Sequence, residues 1–137
     1  MSKKLFLDTN IMLDFLGERE PFYTPSAQLA TLADHKKVKL IVSPISFATV
    51  NYFLTKSEGN ANANEKLRKF KILCEIAAMN ESILEKALNS DFEDFEDALQ
   101  YFCALDTKCD IIITRNQKDF KHSLLPIMSA EEYLKSL

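Results

Sequence analysis

The chain has 137 residues, 47% hydrophobic and 27% charged, with a formal net charge of −3. That length suits one domain with a proper core, and the balance excludes a disordered or fibrous chain. The negative charge excludes a general attraction to nucleic acid, so a polyanion could bind only through a local basic patch or a bridging cation.

Leu5, Phe6 and Leu7 form an apolar run that stops at Asp8, Thr9 and Asn10, which predicts a strand whose carboxyl end carries acids and amides. Ile11, Leu13 and Phe15 then open a helical or turn segment that includes Asp14 and ends near Gly17. Thr24 followed by Pro25 reads as an N-cap with proline in the first helical position, for a helix through about Asp34. Lys39 to Val42 reads as a second buried strand. Ser43 with Pro44 repeats the cap signal for a helix through Leu54, with Asn51 as an amide among apolar neighbours. Gly59 to Asn64 is small and polar, which predicts a loop between helices that is too short to divide the chain into separate domains. A helix over 65–73, a short edge strand over 76–79 and an Asn80-capped helix over 83–88 follow.

Residues 91 to 119 organise the rest. On a helix wheel begun at Asp91, Glu93, Glu96, Gln100 and Thr107 share one polar face. Phe95, Ala98, Leu99, Phe102 and Leu105 make the apolar stripe. Asp94 falls between Ala98, Tyr101 and Leu105, with Asp97 stacked on it at i, i+3, so both acids are expected on the inward side. Burying carboxylates there is costly unless something positive meets them. Asp91 and Glu93 need only the helix dipole to explain them. Ile111, Ile112 and Ile113 are a continuous β-branched run, the mark of a strand buried on both faces of a parallel sheet. Its end at Thr114, Arg115 and Asn116 places polar side chains where open α/β sheets bind ligands. A last strand over 125–128 and a Ser129-capped helix bearing Tyr133, Leu134 and Leu137 as partly exposed apolar groups close an α/β domain with a mostly parallel sheet.

Two glycines, Gly17 and Gly59, leave no phosphate-cradling loop and no dinucleotide fingerprint. His35 and His122 lie in polar connections and read as surface residues, and zinc lacks paired Cys or His ligands. Cys74, Cys103 and Cys109 show no C-x-x-C spacing, which fits reduced core thiols in a cytoplasmic protein. Asp8 and Asn10 break the apolar run after Lys3 and Lys4, so neither a secretion signal nor a membrane span is expected. Oxygen chemistry remains: Asp8, Asp94 and Asp97, with Asn51 and Asn116 as neutral partners. Mg2+ or Mn2+ prefers such ligands and serves phosphodiester hydrolysis, while Arg115, Lys118 and Lys121 are placed to contact backbone phosphates.

The segments LFLDTNIMLDFL, DFEDALQYFCAL and IIITRNQKDF resemble, in order and spacing, the signature segments of the PIN-domain ribonucleases, in particular the VapC-type toxins of toxin–antitoxin pairs. The TRN-x-x-DF turn is the most specific of them. The resemblance spans nearly the whole chain and implies one PIN-like domain over 1–137, homodimers, single-stranded RNA as substrate and inhibition by a cognate antitoxin. It makes Asp8 and Asp97 catalytic metal ligands and sets Asn51 where the family usually has a glutamate. Asn116 takes the fourth acidic position, and Asp119 holds the turn. With two amides in place of acids, Asp94 is expected to supply the missing charge, and Asn10, Asn51, Thr114 and Asn116 to position water or substrate. Two rivals are a PIN-like protein-binding module with a weakened pocket and a receiver-like phosphoacceptor domain. The second lacks an acceptor aspartate over residues 74–80.

Overall fold

The structure, a computed structural model, describes residues 2–137, so residue 1 of the expected domain lies outside the described residues. Five strands form one all-parallel sheet: β1 (Lys3–Leu7), β2 (Val38–Val42), β3 (Cys74–Ile76), β4 (Ile111–Ile113) and β5 (Ile127–Met128), in the order β3-β2-β1-β4-β5. Among the described residues six helices lie between the strands, α1 (Thr9–Leu16), α2 (Tyr23–Asp34), α3 (Pro44–Glu58), α4 (Asn60–Leu73), α5 (Glu81–Leu88) and α6 (Phe95–Asp106), with a 3-10 turn at Gln117–Phe120, and α7 (Ala130–Lys135) follows β5.

Strand alternation divides the core in two. Leu5, Leu7, Leu40, Val42, Ile111 and Ile113 point to one face, where α1, α2, α3, α4 and α7 cover them with residues such as Met12, Leu29, Leu54, Phe70 and Tyr133. Phe6, Ile41 and Ile112 point to the other, against Ile83 of α5 and Ala98, Tyr101 and Cys103 of α6. Each such buried side chain stabilises the fold by about 1.5–3 kcal/mol before chain entropy is counted. The register pairs Leu7 with Ile113, so the residues that follow, Asp8 and Thr114, emerge side by side. The order reverses there, between β1 and β4, and sheets of this kind open their ligand crevice at that point.

Four expectations change. Thr24 is not the N-cap of α2; the helix begins at Tyr23, and Glu20 accepts from both the Thr24 backbone N–H and its hydroxyl, so its carboxylate serves the helix start. Residues 59–64 are not a loop. Gly59 alone joins α3 to α4, because its φ of 87° makes the turn in one residue, and Ala63 then packs fully buried. Helix α6 starts at Phe95 rather than near Asp91, since the Asp94 side chain accepts from the Asp97 N–H at 2.9 Å and so ends the chain's extended approach. Residues 91–94 thus lie off the helix, and within it burial is not confined to one stripe: Gln100 is buried although it shares a face with exposed Glu96, and Phe95 in the first turn is 44% exposed. Tyr133, expected partly exposed on α7, is buried in the core instead.

Candidate active site

Asp8 leaves β1 and caps α1. Its Oδ1 accepts from the Thr9 N–H at 2.8 Å, and its Oδ2 accepts from the Thr114 hydroxyl at 2.7 Å. Asn10 adds a longer bond to the same Oδ2, at 3.4 Å, and another to the Thr114 oxygen. Thr114 is wholly buried, and its oxygen also accepts from the Asn116 N–H, so the β4 end and the β1 end are tied through one hydroxyl. Asp8 itself is only 6% exposed. Burial pushes its carboxyl above the ordinary value, and the bonds from Thr114 and Thr9, together with the nearby Gln100 amide, offset that incompletely.

Asp97 lies in the first turn of α6, above the same strand ends. Its carboxyl is pushed up to about 7, first by burial and then by repulsion from Asp8, Asp94, Asp119 and Glu96. Asp94, Asp97 and Asp119 line one cleft of about 600 Å³ with Asp91, Glu93, Lys118, Lys121 and His122. Asp119 therefore belongs with the acids and repels both Asp8 and Asp97, beyond the turn-holding role expected of it. His122, expected as a bystander, is exposed but lines the cleft.

Two residues are not brought here. Asn51 points across to α4, where its amide donates to Asn64 Oδ1 at 3.0 Å. Arg115, expected at substrate, turns the other way: its Nε and a terminal N–H donate to the two oxygens of Asp14 at 2.7 and 3.1 Å, and its guanidinium lies 3.9 Å over the Phe22 ring. That stacking contributes about 0.5–2 kcal/mol. Sequence reasoning also missed the hydroxyls of Thr9 and Ser46, 2.7 Å apart beneath Asp8, and the Gln100 amide that donates to both. A polar residue three positions after Asp97 was the available signal, but the wheel turned it towards solvent.

A cation would have a fitting donor set here. Among the described residues no three His, Cys, Asp or Glu side chains converge on a metal-binding point. Yet Asp8 and Asp97 are hard oxygen donors, both raised in proton affinity first by burial and then by neighbouring acids, Asp119 for Asp8 and Asp8 itself for Asp97, and no Lys or Arg among the described residues pairs with either. Magnesium is commonly held by one or two carboxylates while keeping several waters, which matches such a pair better than a closed cage would.

Fold and site together define the class: an all-parallel α/β domain that gathers unpaired acids at its switch point. The match to the PIN domain, over residues 4–118, makes the assignment: the chain belongs to the PIN domain family. It is 28% identical to ribonuclease VapC1 of Aquifex aeolicus (strain VF5) over 96% of this chain and 94% of that one. Similar solved structures include VapBC2 of Rickettsia felis bound to a DNA fragment from its promoter, at TM-score 0.68 and 22% identity over 92% of this chain and 97% of the other. A toxin–antitoxin complex from Klebsiella pneumoniae matches at TM-score 0.69 and 20% identity, with the same coverage of 92% and 97%. No helix among the described residues is long and apolar enough to cross a membrane.

Proposed function

We propose that this protein is an endoribonuclease that hydrolyses single-stranded RNA with a Mg2+ or Mn2+ ion, and that it is the toxin of a toxin–antitoxin pair in the cytoplasm. The observation that carries the reading is the Asp8–Asp97 pair, two acids of raised proton affinity left without a cation of the chain's own. The similarity to a ribonuclease VapC supports it. Asp8 and Asp97 would hold the ion. Asp94 and Asp119 add negative field from the cleft wall, and Thr114 and Asn10 keep the Asp8 carboxylate oriented. The ion, when bound, supplies a more acidic water and offsets charge developing on the phosphate. Asn116, whose N–H donates to the Thr114 oxygen, sits where it can meet substrate or water, and Lys118 on the cleft wall is the side chain placed to meet phosphate. An antitoxin is the proposed protein partner, supported by the toxin–antitoxin complexes among the similar structures. A homodimer is proposed from the family alone and is read directly by light scattering.

The test is incubation of the purified protein with defined RNAs, with Mg2+ or Mn2+ and in chelator, beside the Asp8→Asn variant. Cleavage that needs the metal and Asp8 is expected. Equal cleavage by the variant, or in chelator, overturns the reading. A folded wild type that binds RNA or an antitoxin but cleaves nothing favours the weakened binding module, to which the absence of a three-acid cage among the described residues also points.

A further inference from the structure

Gln100 occupies a place where an apolar side chain would stabilise the fold more. It is 1% exposed on α6, between Leu99 and Tyr101, which are both buried in the core. Its Nε2 donates to Ser46 Oγ at 2.8 Å and to Thr9 Oγ1 at 3.1 Å, but its Oε1 is buried with no partner. An unpaired buried carbonyl of this kind costs about 1–3 kcal/mol. The amide therefore forfeits stability, and what it gains is a tie between three elements. Thr9 opens α1 directly after Asp8, Ser46 lies in the first turn of α3, and Gln100 stands one turn below Asp97 on α6.

Asp8 and Asp97 come from different elements, β1 and α6, so something must hold the two ends in one relation. The Thr9 N–H donates to Asp8 Oδ1, and the Thr9 hydroxyl is fixed in turn by Ser46 and by Gln100. We propose that Gln100 is a positioning residue: through the Thr9 and Ser46 hydroxyls it sets the Asp8 carboxylate relative to Asp97, so that the two can share one divalent cation. The inference rests on the nuclease reading above. Gln100 touches neither substrate nor ion.

Stability and metal affinity should respond with opposite signs, which a purely structural amide would not produce. Gln100→Leu, measured by thermal unfolding in chelator and by calorimetric titration with Mn2+, is expected to keep or raise Tm. It should weaken Mn2+ about tenfold, the lower end of losses seen when a group orienting a ligand is removed. Thr9→Val, which removes the same tie from the other side, should weaken Mn2+ comparably. The double variant should be little worse than either single one, because both remove one shared interaction. A lowered Tm with unchanged Mn2+ affinity in Gln100→Leu overturns the proposal, as do fully additive losses. If Gln100→Leu does not fold, Thr9→Val with unchanged Mn2+ affinity overturns it alone. A folded wild type that binds no Mn2+ sinks the nuclease reading as well, whereas normal Mn2+ binding by both variants sinks only the role of Gln100.

Discussion

Two carboxylates among the described residues are almost fully buried, and the protein treats them in opposite ways. Asp14, whose side chain is 1% exposed, receives Arg115 as a two-pronged donor, with Arg19 Nε at 3.5 Å, and Phe22 covers the Arg115 guanidinium. Asp8, 6% exposed, receives only neutral donors and faces the further acids Asp97 and Asp119. Both stand where β1, α1 and the β4 end meet. The lesson is that burial of an acid does not mark a site. An acid that the chain neutralises itself is a fastening, and an acid left in the company of other acids asks for a cation from outside.

The comparison breaks most visibly at Asp97. Asp97→Asn should reduce RNA cleavage by more than the ten- to hundredfold, on the order of magnitude, that follows loss of a group that merely orients a ligand. In chelator the same variant should melt no lower than wild type, since it removes a carboxylate that its neighbours repel. Retained cleavage, or a large fall in metal-free Tm, would put Asp97 with Asp14 among the fastenings.

Asp14→Asn should show the reverse pattern. Removing one partner of a buried pair costs about 3–5 kcal/mol, and the lower figure applies because the Arg115 side chain keeps 27% exposure. A fall in Tm of roughly 10 °C is expected, with Mn2+ affinity per folded molecule little changed. A variant that melts like wild type but binds Mn2+ poorly would mean that Asp14 and Arg115 serve the site after all.

Proton linkage sharpens the contrast. The Asp97 carboxyl is raised from 3.8 to about 7 in the folded protein. Between those values the folded chain holds a proton that the unfolded chain has released, so metal-free stability falls as pH rises through that window, and Asp8 acts in the same direction. Tm in chelator should therefore decline from about pH 4 to about pH 7, and the decline should be shallower in Asp97→Asn. Equal slopes for the two proteins would show that Asp97 is not repelled as described. Mn2+ should restore wild-type stability towards neutral pH by binding the ionised pair.

Much of this was legible in the residues. The apolar runs at 5–7, 39–42 and 111–113 announced the central strands, and Ser43, Asn80 and Ser129 do cap their helices. Asp8 and Asp97 could be picked out as candidates because strand ends and helix starts are local features. What stayed hidden depends on distance or on phase. Arg115 looks free for substrate until the fold brings it to Asp14, 101 residues earlier. Asn51 and Ser46 ride one helix, and nothing in its sequence says which of them turns towards α4 and which towards Asp8. Gln100 was misread because a polar side chain was taken to mark the solvent side, whereas α6 is buried on more than one side beyond its first turn.

Asp94 is where the smallest effect separates two roles that one side chain combines. Its Oδ1 accepts from the Asp97 N–H, which is a helix cap, and its charge adds to the repulsion on Asp97. Asparagine caps about as well as aspartate but carries no charge, whereas alanine does neither. Asp94→Ala should thus cost about 1 kcal/mol of stability, and Asp94→Asn only a few tenths. The two should agree on everything that depends on charge: both should weaken Mn2+ slightly and bring the Asp97 carboxyl down from about 7, seen as a shallower fall of metal-free Tm with pH. Asp94 is exposed and already engaged at one oxygen, so its effect on Mn2+ should fall well short of that of Asp97. If Asp94→Asn instead weakened Mn2+ as severely as Asp97→Asn, the cap would have to open when the ion binds, and Asp94 would join the pair as a third ligand.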